Sequence, residues 1–135
     1  MAGWNDRWRT GNNVFDLDHK QLSTLLDLLE DSLGMLPDST FPDMLAHRLV
    51  REAREHFRRE ENYLRLHPTP QTAGHVAMHE AFADKLDRLV ARIEANDGAG
   101  ARDLIVEAQR MFVDELLPAD SEMMATLAAR IAVAH

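Results

Sequence analysis

The stretch HFRREENYLRLHPTPQTAGHVAMH, residues 56–79, carries two residue pairs that decide the fold. His56 and Glu60 stand four residues apart in HFRRE, and His75 and His79 stand four apart in HVAMH. Residues at this spacing on an α-helix lie on one face, one turn above the other. Each pair can therefore present two metal-ligand atoms to one point, provided that both segments are helical.

Helical periodicity extends outward from this stretch in both directions. The prolines of LHPTP end one helix before the next begins, because proline lacks an N–H and clashes with the preceding turn. Apolar residues recur at spacings of three and four on either side, which predicts four amphipathic helices. Their predicted bounds are about Asp16 to Leu33, near Ser39 or Thr40 to the LHPTP break, about Pro70 to Ala95, and near Ala101 onward.

Both ends of the chain are predicted to depart from this pattern. Residues 1–14 should form an extended leader that Trp4 and Trp8 anchor on the helices. Pro118 falls inside the pattern of the fourth helix, where a proline removes a hydrogen bond and clashes with the turn before it. We therefore expect a kink at this position, or a break before a short last helix over residues 120–133.

Four amphipathic helices joined by short loops predict an all-α, up-down-up-down four-helix bundle. In this topology, early positions on helices one and three share an end with late positions on helices two and four. This topology predicts that seven candidate ligands lie at one level of the bundle: His19, His56, Glu60, His75, His79, Glu115 and Asp120. Imidazole suits iron, zinc and copper, and a carboxylate can bridge two ions. Since a single zinc site takes about four ligands, seven candidates favour a site for two metal ions.

Composition limits the remaining classes of protein. The 135 residues fit one domain over residues 1–135, and the absence of cysteine excludes disulfides, thiolate metal sites and cysteine nucleophiles. A net charge of −8 argues against a nucleic-acid partner, since phosphate binding needs clustered Lys and Arg. The sequence has no apolar run of about 18 residues and no apolar segment near its start, so we expect neither a membrane span nor a signal peptide. We therefore expect a cytoplasmic location.

Four fragments resemble sequences of bacterial hemerythrins, which contain an HHE-type domain. GNNVFDLDHKQL resembles the start of the family's first ligand helix, HFRREE matches its His-Phe-x-x-Glu-Glu element, and HVAMH matches its His-x-x-x-His element. ELLPAD lies where the family has a His followed five residues later by an Asp. The resemblance covers nearly the whole chain. It implies a four-helix bundle that holds two iron ions, in an oxo- or hydroxo-bridged centre, and binds dioxygen reversibly.

The resemblance also implies which iron each ligand binds. The iron with an open coordination position would be held by His19 and His56. The second iron would be held by His75 and His79. Two carboxylates would bridge both ions, namely Glu60 and Asp120.

Position 115 departs from the family pattern, because Glu115 stands where the family has a third histidine on the second iron. If Glu115 coordinates, its negative charge stabilises ferric over ferrous iron. This change leaves three functions open. The leading interpretation is a di-iron protein that binds dioxygen or a related small ligand, peroxide or nitric oxide, for storage, delivery or sensing. The alternatives are a di-iron peroxidase or oxidase, and an iron-storage or structural bundle with an impaired site.

Overall fold

Five α-helices make up most of the chain in the computed structural model, which describes residues 5–134 and the side chains of residues 5–132. They are α1 (Asn13–Ser32), α2 (Phe41–Leu66), α3 (Thr72–Glu94), α4 (Gly98–Met111) and α5 (Leu117–Ala134). No β-strand occurs in residues 5–134. The predicted all-α fold is confirmed.

Helices α1 to α4 pack in sequence order, and α1 also packs against α4, so the four close into a bundle. The connections over residues 33–40, 67–71 and 95–97 are too short to cross the bundle, so neighbouring helices run in opposite directions. This is the up-down-up-down architecture that the sequence predicts. None of the helices within residues 5–134 combines the length and the apolarity that a membrane span requires.

The start of α1 is set by a glycine and a capping asparagine. Gly11 has a φ of +87°, a left-handed conformation that glycine adopts without a steric penalty. The Asn12 side chain accepts hydrogen bonds from the backbone N–H groups of Val14 and Phe15, at 3.0 and 3.1 Å. The helix therefore begins at Asn13, a few residues before its predicted start.

From residue 5 onward the leader is partly helical, whereas the sequence predicts an extended segment over residues 1–14. Asp6–Trp8 form one turn of 3-10 helix that packs beside α5. Trp8 is half-buried against the apolar core, as expected for an anchor. Trp4, the other expected anchor, lies outside the described residues.

A π-helical turn over Phe112–Leu116 joins α4 to α5, and the chain stays helical through all three segments. The N–H of Leu117 donates to the carbonyl of Phe112, five residues back rather than the usual four. Pro118 follows at once, and because it has no N–H it leaves no unpaired donor after the wider turn. Of the two predicted alternatives, a kink or a break before a short helix over residues 120–133, the structure has no break: the irregularity at Pro118 is the π turn, and α5 follows it without interruption.

Two clusters of buried apolar side chains fill the bundle. The larger cluster draws residues from every helix and includes the fully buried Leu26, Leu49 and Phe82. The smaller cluster lies near the start of α1, the end of α2 and the middle of α5, and it consists of Phe15, Leu64, Met123, Met124 and Leu127. Burial of these side chains is the main stabilising term of the fold.

Leu49→Ala should lower the free energy of unfolding by about 2–5 kcal/mol, because it leaves a cavity in the larger cluster. Leu49 is 0% exposed, whereas Leu28 on α1 is 45% exposed and provides the control. Leu28→Ala should change the free energy of unfolding by less than about 0.5 kcal/mol. Urea denaturation followed by circular dichroism measures both. Equal losses in the two variants would contradict the assignment of the core.

Candidate metal centre

A layer of buried polar side chains lies between the two apolar clusters. This polar layer consists of His19, His56, Glu60, His75, His79 and Asp120, each at most 5% exposed. Helical periodicity places them at this level. On α1, Phe15 of the smaller cluster, His19 of the polar layer and Leu22 of the larger cluster follow one another at spacings of four and three residues.

The first group of potential ligands comes from α1, α2 and α5. Its ligand atoms all lie within 4.8 Å of one another and belong to His19, His56, Glu60 and Asp120. His19 Nε2 is 2.7 Å from Oδ2 of Asp120. His56 Nε2 is 3.0 Å from Oε2 of Glu60 and 3.8 Å from Oδ2 of Asp120. Two imidazoles thus face one oxygen of each carboxylate.

The second group adds the two histidines of α3 to the same carboxylates. Its members are Glu60, His75, His79 and Asp120, again with ligand atoms within 4.8 Å of one another. His79 Nε2 is 3.2 Å from Oε1 of Glu60. His75 Nε2 is 2.6 Å from Oδ1 of Asp120 and also contacts Oε1 of Glu60. This second pair of imidazoles faces the other oxygen of each carboxylate.

The two groups share the carboxylates of Glu60 and Asp120, but each group faces a different oxygen of each carboxylate. A carboxylate whose two oxygens face different groups can bridge two cations. Within the described part of the chain, three buried atoms of the polar layer lie close to neighbouring atoms but make no hydrogen bond: His56 Nε2, Glu60 Oε2 and Asp120 Oδ1. Buried polar atoms need partners. Two cations would supply them, so the donor set fits a dinuclear metal centre.

The family model of the hemerythrin HHE cation-binding domain matches residues 10–127, which include all six residues of the polar layer. This chain belongs to the hemerythrin HHE family. The match confirms the resemblance that the sequence fragments indicate, and it makes this a cation-binding domain. The comparison with curated proteins and the comparison with solved structures gave no significant match.

Glu115 of this hemerythrin domain is exposed and lies outside both groups of ligand atoms. The buried face of the π turn and α5 runs through Phe112, Leu116, Leu117 and Asp120, which leaves position 115 on the solvent side. The structure therefore leaves the expected seventh ligand, Glu115, apart from the other candidates. The structure brings together the other six expected residues.

Two histidines of the hemerythrin domain bind further carboxylates through Nδ1. His56 Nδ1 lies 2.9 Å from Oδ2 of Asp18, whose two oxygens also accept from Arg59 at 3.0 and 2.7 Å. His79 Nδ1 lies 3.0 Å from Oε2 of Glu61. Such partners orient the ring and leave Nε2 for a metal ion. Neither carboxylate was expected from the sequence. Each is next in sequence to a residue of the polar layer, and this position could have indicated them.

Charges within the polar layer compensate one another. Burial alone would lower the pKa of His56, but the neighbouring carboxylates of Asp120, Asp18 and Glu60 raise it well above its usual value. Burial likewise opposes the charge on His75, where Asp120 and Glu60 raise the pKa to about 9. Burial would raise the pKa of both layer carboxylates, yet the surrounding histidines lower it. Cations bound here would replace these imidazole protons.

A third group with ligand-type atoms lies on the surface and consists of Asp43, His47 and Glu94. His47 Nε2 is 2.9 Å from Oε1 of Glu94, and both side chains are more than half exposed. An exposed ion pair of this kind forms without a metal ion and contributes little to stability. We assign it no role in the metal centre.

Asp120→Ala should lose bound iron from both positions, because the Asp120 carboxylate faces both histidine pairs. Glu115→Ala should retain as much iron as the native protein, because Glu115 is exposed and lies in neither group. Elemental analysis after iron loading and desalting measures the difference. Loss of iron from Glu115→Ala would show that this side chain turns inward when iron binds.

Asp18→Asn should retain the fold but bind metal about 10–100-fold more weakly, because loss of the carboxylate charge weakens the orientation and the basicity of His56. Competition against a chelator of known affinity measures the change. Asp31→Asn makes the same charge change on the exposed face of α1 and is the matched control. Equal metal affinities in the two variants would rule out a positioning role for Asp18.

Proposed function

We propose that this hemerythrin domain holds two iron ions in the polar layer and binds dioxygen or a related small ligand, nitric oxide or peroxide, for storage, delivery or sensing. The proposal rests on one observation: the two oxygens of each carboxylate, Glu60 and Asp120, face different histidine pairs. A site for one ion would need only one such pair.

Each ion would take two imidazole nitrogens and one oxygen from each carboxylate. His19 and His56 would hold one ion, and His75 and His79 would hold the other. This mixture of nitrogen and oxygen donors suits non-haem iron. When bound, a ferrous pair supplies the electrons and the open coordination positions that dioxygen binding requires. The protein contributes the orientation of the donors and the surroundings of the site.

Aromatic side chains shield the histidine rings from water. Phe15 meets His56 edge-on, with ring centroids 5.9 Å apart. Phe57 stacks on His79 at a centroid distance of 4.1 Å and an interplanar angle of 11°. Exclusion of water limits side reactions and proton leakage at a buried site. These surroundings support ligand binding that can be reversed.

The alternative functions lose the feature that favoured them in the sequence. An added carboxylate at position 115 would have favoured a peroxidase or oxidase, since it would stabilise ferric iron. Glu115 is exposed and outside both groups, so the donor set keeps four imidazoles and two carboxylates. An impaired storage or structural bundle has no better support, because the six remaining candidate ligands are gathered in two groups.

Protein loaded anaerobically with ferrous iron should hold about two iron ions per chain, because the polar layer contains two groups of donors. Exposure to oxygen should then produce an optical absorption band that disappears when oxygen is removed under argon. Elemental analysis gives the stoichiometry, and repeated absorption spectra give the reversibility. His47→Ala changes an exposed histidine outside the polar layer and should give the same result as native protein.

Two outcomes would count against the proposal. One iron per chain, unchanged by substitution of His19 and His56, would exclude the two-ion site. Permanent oxidation of the iron in air, with consumption of added peroxide, would favour the enzyme instead of the reversible binding protein.

A further inference from the structure

The carboxylate of Asp18 joins a histidine of the polar layer to an arginine at the surface of the bundle. His56 Nδ1 lies 2.9 Å from Oδ2 of Asp18. Arg59 donates to the same oxygen from Nε at 3.0 Å, and to Oδ1 from a terminal nitrogen at 2.7 Å. We propose that Arg59 is a positioning residue that limits the donor strength of His56, and so favours ferrous over ferric iron at the ion that His19 and His56 would hold. The inference rests on the proposed function and adds to it how the chain maintains the ferrous state that dioxygen binding requires.

The three side chains form a line from the buried layer to the surface. The side chain of His56 is 1% exposed, that of Asp18 is 10% exposed and that of Arg59 is 41% exposed. Two N–H groups of one guanidinium meet the two oxygens of one carboxylate, which is the pairing in which arginine holds a carboxylate most firmly. A guanidinium is not deprotonated in proteins, so its charge is fixed. Arg59 therefore holds Asp18 in place and balances its negative charge.

The charge on Asp18 affects how strongly His56 can bind a cation through Nε2. A carboxylate that accepts from Nδ1–H makes the ring more basic at Nε2. A more basic ring carries more negative charge and stabilises ferric over ferrous iron, because the ion of higher charge gains more from it. Arg59 occupies both oxygens of this carboxylate, so the carboxylate attracts the ring proton less than an unpaired one would. The ring thus stays closer to neutral imidazole.

The corresponding histidine of the second group has a different partner. His79 Nδ1 lies 3.0 Å from Oε2 of Glu61, whose side chain is 36% exposed. Among the side chains of residues 5–132, Glu61 forms no ion pair with an arginine or a lysine. Solvent, and not a fixed cation, is therefore what moderates the charge of Glu61. The two ligand groups differ in this respect, and the paired guanidinium belongs to the side of His56.

A purely structural role for Arg59 predicts the opposite effect on the iron. If the arginine served only to hold the carboxylate in place, its loss would let Asp18 turn towards water and leave Nδ1 of His56 without this acceptor. The ring would then be a weaker donor, and the ferric state would be destabilised. The sign of the change in reduction potential therefore separates the two roles.

The experiment measures the reduction potentials of the iron-loaded protein by anaerobic spectroelectrochemical titration, in which each ferrous ion gives one electron to the electrode. Arg59→Gln removes the charge but keeps a hydrogen-bond donor for Asp18. It should favour the ferric state by about tenfold, which lowers the sum of the two one-electron potentials by about 59 mV. Arg59→Lys keeps the charge and should keep the native value. Arg51→Gln removes a charge from an exposed position of the same helix and is the matched control.

A double variant tests whether Arg59 acts through Asp18. In the Asp18→Asn background the carboxylate charge is absent, so adding Arg59→Gln should change the sum of the potentials much less than it does in the native background. An equal change in both backgrounds would mean that the arginine charge acts on the iron directly, and this result would overturn the proposal.

An unchanged or higher sum of potentials in Arg59→Gln, with two irons per chain and a native circular dichroism spectrum, would overturn the role of Arg59 and leave the proposed function standing. Loss of iron from Arg59→Gln would also count against this role, because the arginine would then be needed to hold the site together. An equal fall in Arg51→Gln would overturn it as well, since any lost surface charge would explain the effect. A native protein that holds fewer than two irons would overturn the proposed function and this inference together.

Discussion

Glu60 and Asp120 impose the constraint on which the rest of the structure depends. They are 0% and 2% exposed, and each divides its oxygens between histidines of different helices. A buried carboxylate without partners costs several kcal/mol, so these two can be buried only where imidazoles surround them. The requirement fixes the register of α1, α2, α3 and α5 at one level, because a shift by one residue would turn a helical side chain by about 100°.

The two apolar clusters pack on either side of the polar layer. On α2, for example, Glu60 lies between Phe57 of the larger cluster and Leu64 of the smaller one. The larger cluster buries apolar side chains well away from the polar layer. This burial stabilises the packing of the helices even when the layer holds protons instead of cations. Metal binding would then add to the stability of a formed bundle and would not be the sole cause of its folding.

The sequence predicted the helices and six layer residues because both have periodic patterns. Apolar residues every three or four positions mark the buried face of a helix, and a histidine or glutamate on that face cannot remain without partners. Asp18 and Glu61 carry no such mark, since carboxylates are common on exposed faces and their contacts depend on how neighbouring helices meet. Glu115 lies outside the layer for a different reason, because its expected position came from the family's spacing, which takes no account of the π turn over Phe112–Leu116.

The π turn changes the helical pitch and thereby places Asp120, the second carboxylate of the polar layer. Eight residues of regular α-helix from Phe112 to Asp120 would turn about 800°, about 80° past two full turns. The π turn inserts one residue, so the same segment turns about 700° and ends within about 20° of two full turns. Phe112 and Asp120 are accordingly both 2% exposed on one buried face. Pro118, which in the sequence indicates a break, directly follows the turn that the site requires. The segment that brings Asp120 into the polar layer is therefore the same one that leaves Glu115 in solvent.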